Sequence, residues 1–310
     1  MRSDVLITGG LGFLGRHLVR QCQSAGLRVA VLDRHSDRSE IPPGVKLFAG
    51  NFQDRALLRQ ALYGVEKVVH LAATTIPQSS EEDRIHDLQS NVAATLQLLE
   101  ECTRRETRRV VFPSSGGTVY GVQGGGPIPE SAPTHPVSAH GVMKLTIEHY
   151  LQLFRHAHGL DPVILRISNL YGEGQDPTRP QGIVSTLFDR ILRRKPIQVW
   201  GDGSAVRDYV HVEDAARACL LALDYEGKEN TFNIGTGKGT SLRQLFRLAE
   251  KISGTQPRVR WQSGRKLDVP RNVLDVKRAR TRLKWRPKVE LGSGLRRVFE
   301  SMKKSPATPS

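Results

Sequence analysis

Three glycines near the amino end, Gly9, Gly12 and Gly15, stand at the spacing G-x-x-G-x-x-G directly after the apolar run 5–8. The first permits a tight turn, and the second lets a pyrophosphate approach the backbone. The third lets a helix pack on the strand, with its N-terminus facing the phosphate. A second strand then ends in Asp33. A carboxylate there can accept from both ribose hydroxyls of NAD and would repel a 2′-phosphate. Arg34, the next residue, is the one feature that argues for NADP instead. The pattern predicts a dinucleotide site that takes NAD.

Such a site needs a strand–turn–helix unit, and the chain supplies a series of them. Short β-branched runs at 5–8, 28–32, 46–48, 67–71, 109–113 and 162–167 alternate with helical periodicity at 15–25, 55–63, 84–105 and 137–158. This alternation implies an α/β fold with a parallel, doubly wound sheet. After about residue 172 the pattern loosens. Helices are expected over 182–194, 212–223 and 241–252, strands over 197–200, 231–234 and 258–261, and two helices at the end. We read 1–172 as the dinucleotide-binding domain, 173–304 as a smaller substrate-binding lobe interleaved with it, and 305–310 as a disordered tail.

Composition limits the alternatives. The 310 residues are 38% hydrophobic and 25% charged, which suits a globular chain. No apolar run approaches the roughly 20 residues of a bilayer span. Cys22, Cys102 and Cys219 are odd in number and far apart, so neither a disulfide scaffold nor a metal cluster is expected. With no room for a signal peptide before residue 4, a cytoplasmic location is expected. The net charge is +15. Residues 255–304 carry sixteen Lys/Arg against four Asp/Glu, a patch suited to phosphates, nucleic acid or an anionic surface, or a solvated basic face. Without an interleaved aromatic platform or an RNA-binding signature, nucleic acid is not the expected partner.

Longer motifs run almost end to end. They are TGGLGFLG from Thr8, HLAA at 70–73, Asn91 in the next helix, PSSGGTVYG at 113–121 and KLTIE at 144–148. LRISNLYG at 165–172, VWGDGSAVRDYVHVEDAA at 199–216, FNIGTGKGTSL at 232–242 and Asp275 with Trp285, Arg286 and Pro287 follow. Together they resemble the extended branch of the short-chain dehydrogenase/reductase superfamily, the NAD-dependent nucleotide-sugar epimerase/dehydratase family, in its UDP-glucose or UDP-N-acetylglucosamine 4-epimerase-like form. The resemblance implies a Rossmann-type sheet and an enzyme that moves hydride between a sugar carbon and NAD. It implies that Phe13 and Leu14 line the pyrophosphate and that Asn51 and Phe52 border the adenine. Leu71, Ala72 and Ala73 would face the nicotinamide side, and Asn91 and Ser114 would belong to the cofactor site.

In that family a tyrosine handles the hydroxyl proton and a lysine four residues on binds the nicotinamide ribose. Here segment 138–144 keeps Lys144 and puts His140 in the tyrosine's place. A neutral imidazole can act as a general base, but it is shorter than a phenol, and catalysis is sensitive to misplacement of about 1 Å. Two readings stay open: a working base, or an attenuated or lost activity. The usual sugar-contacting hydroxyl falls on Gly116, leaving Ser115 or Thr118 to supply it. Gly117 and Thr118 offer none of the acids that sugar dehydration needs.

By the same resemblance Arg207 and Arg265 bind a diphosphate, since guanidinium pairs two phosphate oxygens at once. Asn169 contacts the sugar, Asp268 a ribose, and 197–200 with Trp200 borders a uracil. Asn272 would lie beside the sugar's 2-position and leave room for an N-acetyl group. A UDP-sugar substrate, a homodimer through helices 84–105 and 137–158, and a place in bacterial surface-polysaccharide metabolism are expected. The rival readings are a nucleotide-sugar dehydrogenase or reductase, and a weakly catalytic or non-catalytic protein that binds nucleotide sugars or nucleic acid.

Overall fold

The computed structural model describes residues 3–35, 41–178, 181–264 and 269–304. The first half lays down β1 (Val5–Thr8), α1 (Phe13–Ser24), β2 (Val29–Asp33), β3 (Lys46–Ala49), α2 (Arg55–Ala61) and β4 (Lys67–His70). Next come α3 (Pro77–Glu82), α4 (Arg84–Asp87), a π-helical turn over Leu88–Ala93, α5 (Ala94–Arg104), β5 (Arg109–Ser115), α6 (Ala139–His158) and β6 (Asp161–Ile167). The second half contributes β7 (Asn169–Tyr171), α7 (Ile183–Leu192), β8 (Ile197–Trp200), β9 (Val206–His211), α8 (Val212–Leu223) and β10 (Thr231–Ile234). It ends with β11 (Gly239–Ser241), α9 (Leu242–Ser253), β12 (Val259–Gln262), β13 (Arg271–Asn272), α10 (Lys277–Thr281) and α11 (Leu291–Lys304).

Seven strands form one parallel sheet in the order β3-β2-β1-β4-β5-β6-β10. Apart from the edge strand β3, its strands are buried on both faces, as a parallel sheet between two helix layers requires. Val5 and Ile7 point into one core, shared with Leu18 of α1 and Cys219 of α8. Leu6 points into the other, shared with Leu58 of α2, Leu98 of α5 and Ile147 of α6. Strand order reverses between β1 and β4, and in open α/β sheets a ligand crevice opens at such a point.

The lobe has its own core around Leu187 and Phe188 of α7, Leu245 of α9 and Leu295 of α11. Its strands form two small sheets. In one, β9 pairs with β7, β11 and β13; in the other, β8 pairs with β12. The chain recrosses between the two parts, because β10 joins the main sheet and α8 packs on α1.

One expected element is broken. The stretch 84–105 forms α4, the π turn and α5 in place of a single helix. Within it Ser90 Oγ donates to the His86 carbonyl and Thr95 Oγ1 to the Asn91 carbonyl, each at 2.6 Å. Hydroxyls that compete for helical carbonyls loosen the ladder, and π turns of this kind concentrate at functional sites. The short elements α3, β7, β11 and β13 carry too few residues to show a hydrophobic period.

Candidate active site

A cleft of about 1820 Å³ lies over the carboxyl ends of β1, β2, β4, β5 and β6 and runs on between α7 and β8. At its amino-terminal end the three glycines form a cradle. A Cβ on Gly15 would stand 2.6 Å from the Gly10 carbonyl carbon, and Gly9 has a φ of +69°. Neither position admits a side chain without strain. Gly12 precedes helix α1 and gives it no side-chain cap, and its first turn holds no acidic residue, so its open N–H groups suit an anion. Gly9, Gly12, Phe13, Leu14 and Gly15 all line the cleft, as do Asp33 and Arg34 at the end of β2. The Asp33 carboxylate is held by the Leu11 N–H at 2.9 Å and by His35.

Phe52, Leu71, Ala72 and Ala73 also line the cleft. Asn51 does not: its side chain is exposed and pairs with Gln53. Asn91 stands one layer behind. It accepts the Thr74 N–H at 2.9 Å and donates to Thr75 and Asp87. Beside it His70 bridges Thr8 at 2.7 Å and Thr95 at 2.9 Å. The Thr95 hydroxyl already donates to the Asn91 carbonyl. Nε2 of His70 therefore carries the proton, and Nδ1 accepts from Thr8. Burial, with the Lys144 charge second, pushes the His70 pKa down to about 3, so this ring is neutral.

The chemical end is built by α6 and the turn after β5. Ser138 caps α6 by accepting the Gly141 N–H. His140 and Lys144 lie one turn apart on its cleft side, with Ser114, Ser115 and Thr118 across from them. Lys144 Nζ donates to the Pro113 carbonyl at 3.1 Å and stands 4.7 Å above the Phe112 ring. Burial pushes the Lys144 pKa down to about 8, against the opposing pull of Glu148 and Asp87. His140 is pushed to about 3 by burial and then by Lys144. Its Nδ1, and Oγ1 of Thr118, are buried with no hydrogen-bond partner among the described residues. Orphaned polar atoms are costly, and four residues of the cleft lining carry one: Thr118, His140, Ser168 and Gln175. The structure also explains Gly116. A Cβ there would meet Leu274 at 2.6 Å and the Arg166 carbonyl oxygen at 2.8 Å, so a serine here forces its neighbours to shift.

At the lobe end Asn169, Arg207 and Trp200 line the cleft, and Trp200 is 42% exposed. Asn272 does not reach it. Strand β13 runs parallel to β9, and this buries Asn272 completely, with its amide donating to the Gly116 carbonyl. The expectation that it lies beside a sugar is corrected accordingly. Arg265, Asp268 and the tail 305–310 lie outside the described residues. Some of the basic C-terminal segment is internally paired: Arg278 with Glu130, Arg282 with Glu229, and Arg297 with Glu173 and Glu213. Sequence reasoning missed Glu81, which lines the cleft and accepts the Ala139 N–H at the start of α6 at 2.5 Å. It also missed Thr186 and Arg190 on the cleft face of α7, although their i,i+4 spacing was a usable signal.

Residues 5–235 match the profile of the NAD dependent epimerase/dehydratase family. The chain belongs to this family. Among relatives, the UDP-glucose 4-epimerase of Azospirillum brasilense is 33% identical, over 97% of this chain and 92% of its own. Among solved structures, the Thermotoga maritima UDP-glucose 4-epimerase with UDP-glucose superposes with a TM-score of 0.92 at 36% identity, over 97% of this chain and 99% of that one. The Thermus thermophilus UDP-glucose 4-epimerase in complex with NAD gives 0.91 at 35%, over 98% and 100%. The family's dinucleotide and this chain's glycine cradle, open helix N-terminus and Asp33 fit each other. Among the described residues no group of His, Cys, Asp and Glu could hold a metal ion, and no helix is long and apolar enough to cross a membrane.

Proposed function

We propose that this chain is a NAD-dependent UDP-sugar 4-epimerase in which His140 serves as a weak base. The observation that carries the reading is the convergence, in one cleft, of the glycine cradle with two buried, unpartnered groups, His140 Nδ1 and Thr118 Oγ1. Gly9, Gly12, Gly15 and Asp33 hold the dinucleotide, and Lys144 holds its nicotinamide ribose. NAD, when bound, supplies the hydride acceptor. Ser115 and Thr118 orient the sugar hydroxyl at C4. The neutral His140 imidazole would take the proton of the C4 hydroxyl as that carbon is oxidised, and would give it back to the same oxygen when the carbon is reduced again. A base works best with a pKa near the operating pH. The low basicity of His140 therefore makes proton transfer the slow part of the cycle. Arg207 anchors the diphosphate, Trp200 borders the base, and Arg265 and Asp268 complete the nucleotide site.

A homodimer fits the surface. Val142 and Leu153 are exposed on one stripe of α6, and Leu88 is exposed nearby in the π turn. Light scattering of the purified protein tests this; a monomer at micromolar concentration counts against it. The function is tested by incubating the protein with NAD⁺ and a panel of UDP-sugars, and following C4 configuration by NMR. Conversion to 4-epimers without net NADH supports the reading. Net NADH, or no conversion of any UDP-sugar, overturns it in favour of a dehydrogenase or a binding protein.

A further inference from the structure

Helix α3 packs on α6 and brings a carboxylate to the start of the helix that carries His140. Oε1 of Glu81 accepts the Ala139 N–H at 2.5 Å. Ala139 is the residue before His140, and Glu81 and His140 line the same cleft. A carboxylate suits a helix N-terminus, whose open N–H groups carry partial positive charge, so the Glu81 side chain is held at this corner. His140 is 8% exposed, and its Nδ1 has no partner among the described residues. The corner that Glu81 borders is therefore one that receives a polar ligand group.

The cations of the site are placed elsewhere or already engaged. Arg84 meets the other oxygen of Glu81 at 3.0 Å, but its side chain is 72% exposed, and a solvent-facing pair of this kind is weak and screened. Lys144, one turn on from His140, donates to the Pro113 carbonyl and has the cofactor ribose to hold. The other cations of the cleft lining stand on α1, after β2 or in the lobe. On the reading of His140 as the group that meets the 4-hydroxyl, the sugar's C6 enters the same corner, because C5 carries it and is bonded to C4. A C6 alcohol is neutral there. A C6 carboxylate would stand near the Glu81 carboxylate, and like charges between protein walls repel more strongly than in water.

We propose that Glu81 is a specificity-determining residue: it restricts the site to sugars that are neutral at C6 and turns away uronic acids. Rejection by a repulsive element needs no new contact to the accepted sugar. The inference rests on the reading of the cleft as a UDP-sugar site with His140 at the 4-hydroxyl.

The test is equilibrium binding of UDP, UDP-glucose and UDP-glucuronic acid to the NAD-loaded protein. The parent should bind UDP-glucose about tenfold more tightly than UDP-glucuronic acid, or better, as two close carboxylates require. Glu81→Gln keeps an oxygen for the Ala139 N–H and removes the charge, and should bring the two affinities together. Arg84→Gln removes the counter-charge and should widen the gap, an opposite change that a merely structural role of α3 would not produce. Added salt should narrow the gap in the parent, which needs no variant. A parent that binds both sugars equally, or a ratio that Glu81→Gln leaves in place, overturns the proposal while UDP binding stands. Failure of UDP itself to bind overturns the underlying reading, and the proposal with it.

Discussion

The side-chain amide of Asn272 donates to the carbonyl of Gly116 at 3.0 Å, across 156 positions of the chain. Asn272 also pairs in register with Arg207 on β9. This one residue therefore ties the turn carrying Ser115 and Thr118 to the strand carrying Arg207. Replacing it by alanine leaves a buried carbonyl without its donor, at about 1–3 kcal/mol. Thermal unfolding of Asn272→Ala should show that loss. Asn272→Tyr should overpack the same spot and fail to fold, where a pocket-lining position would have tolerated it.

Gly116→Ser places the family's usual hydroxyl where a Cβ meets Leu274 and the Arg166 carbonyl. Overpacking of this kind costs about 1–3 kcal/mol. The variant should be less stable and no more active. A gain in epimerisation rate with unchanged stability would return the hydroxyl role to this position.

His140→Tyr should raise the epimerisation rate, because a phenol next to Lys144 replaces an imidazole whose basicity burial has suppressed. His140→Ala should abolish activity. Equal rates for His140→Ala and the parent would remove His140 from the chemistry.

Stability should fall in acid. His70 and His140 have folded pKa values near 3, below the value of about 6.5 in an unfolded chain. Between about pH 6.5 and 3 the unfolded state binds more protons, so stability declines as pH falls through that window. Denaturant unfolding at a series of pH values measures the slope. His140→Phe should flatten it, and an unchanged slope would show that His140 is not buried neutral.

Asp33→Ala should weaken NAD binding and relax discrimination against NADP. Loss of hydrogen bonds to a charged acceptor costs on the order of 1.5–3 kcal/mol. Calorimetry that finds NAD affinity unchanged would remove Asp33 from the cofactor site.

Much of this was legible in the sequence because it is local. Gly9, Gly12 and Gly15 must follow a strand and open a helix, and the turn they make depends on their own backbones. His140 and Lys144 share a helix face because they are four apart. The alternation of strands and helices determined the main sheet, and Asp33 falls at a strand end by counting. Tertiary structure decided what depends on chain segments that meet from afar. Asn272 turned inward because β13 lies against β9, which no spacing within 269–275 reveals. A side chain at Gly116 is crowded because Leu274 and the Arg166 carbonyl press on it from two other segments. Burial at the centre of the fold, which no single residue encodes, made both His70 and His140 neutral.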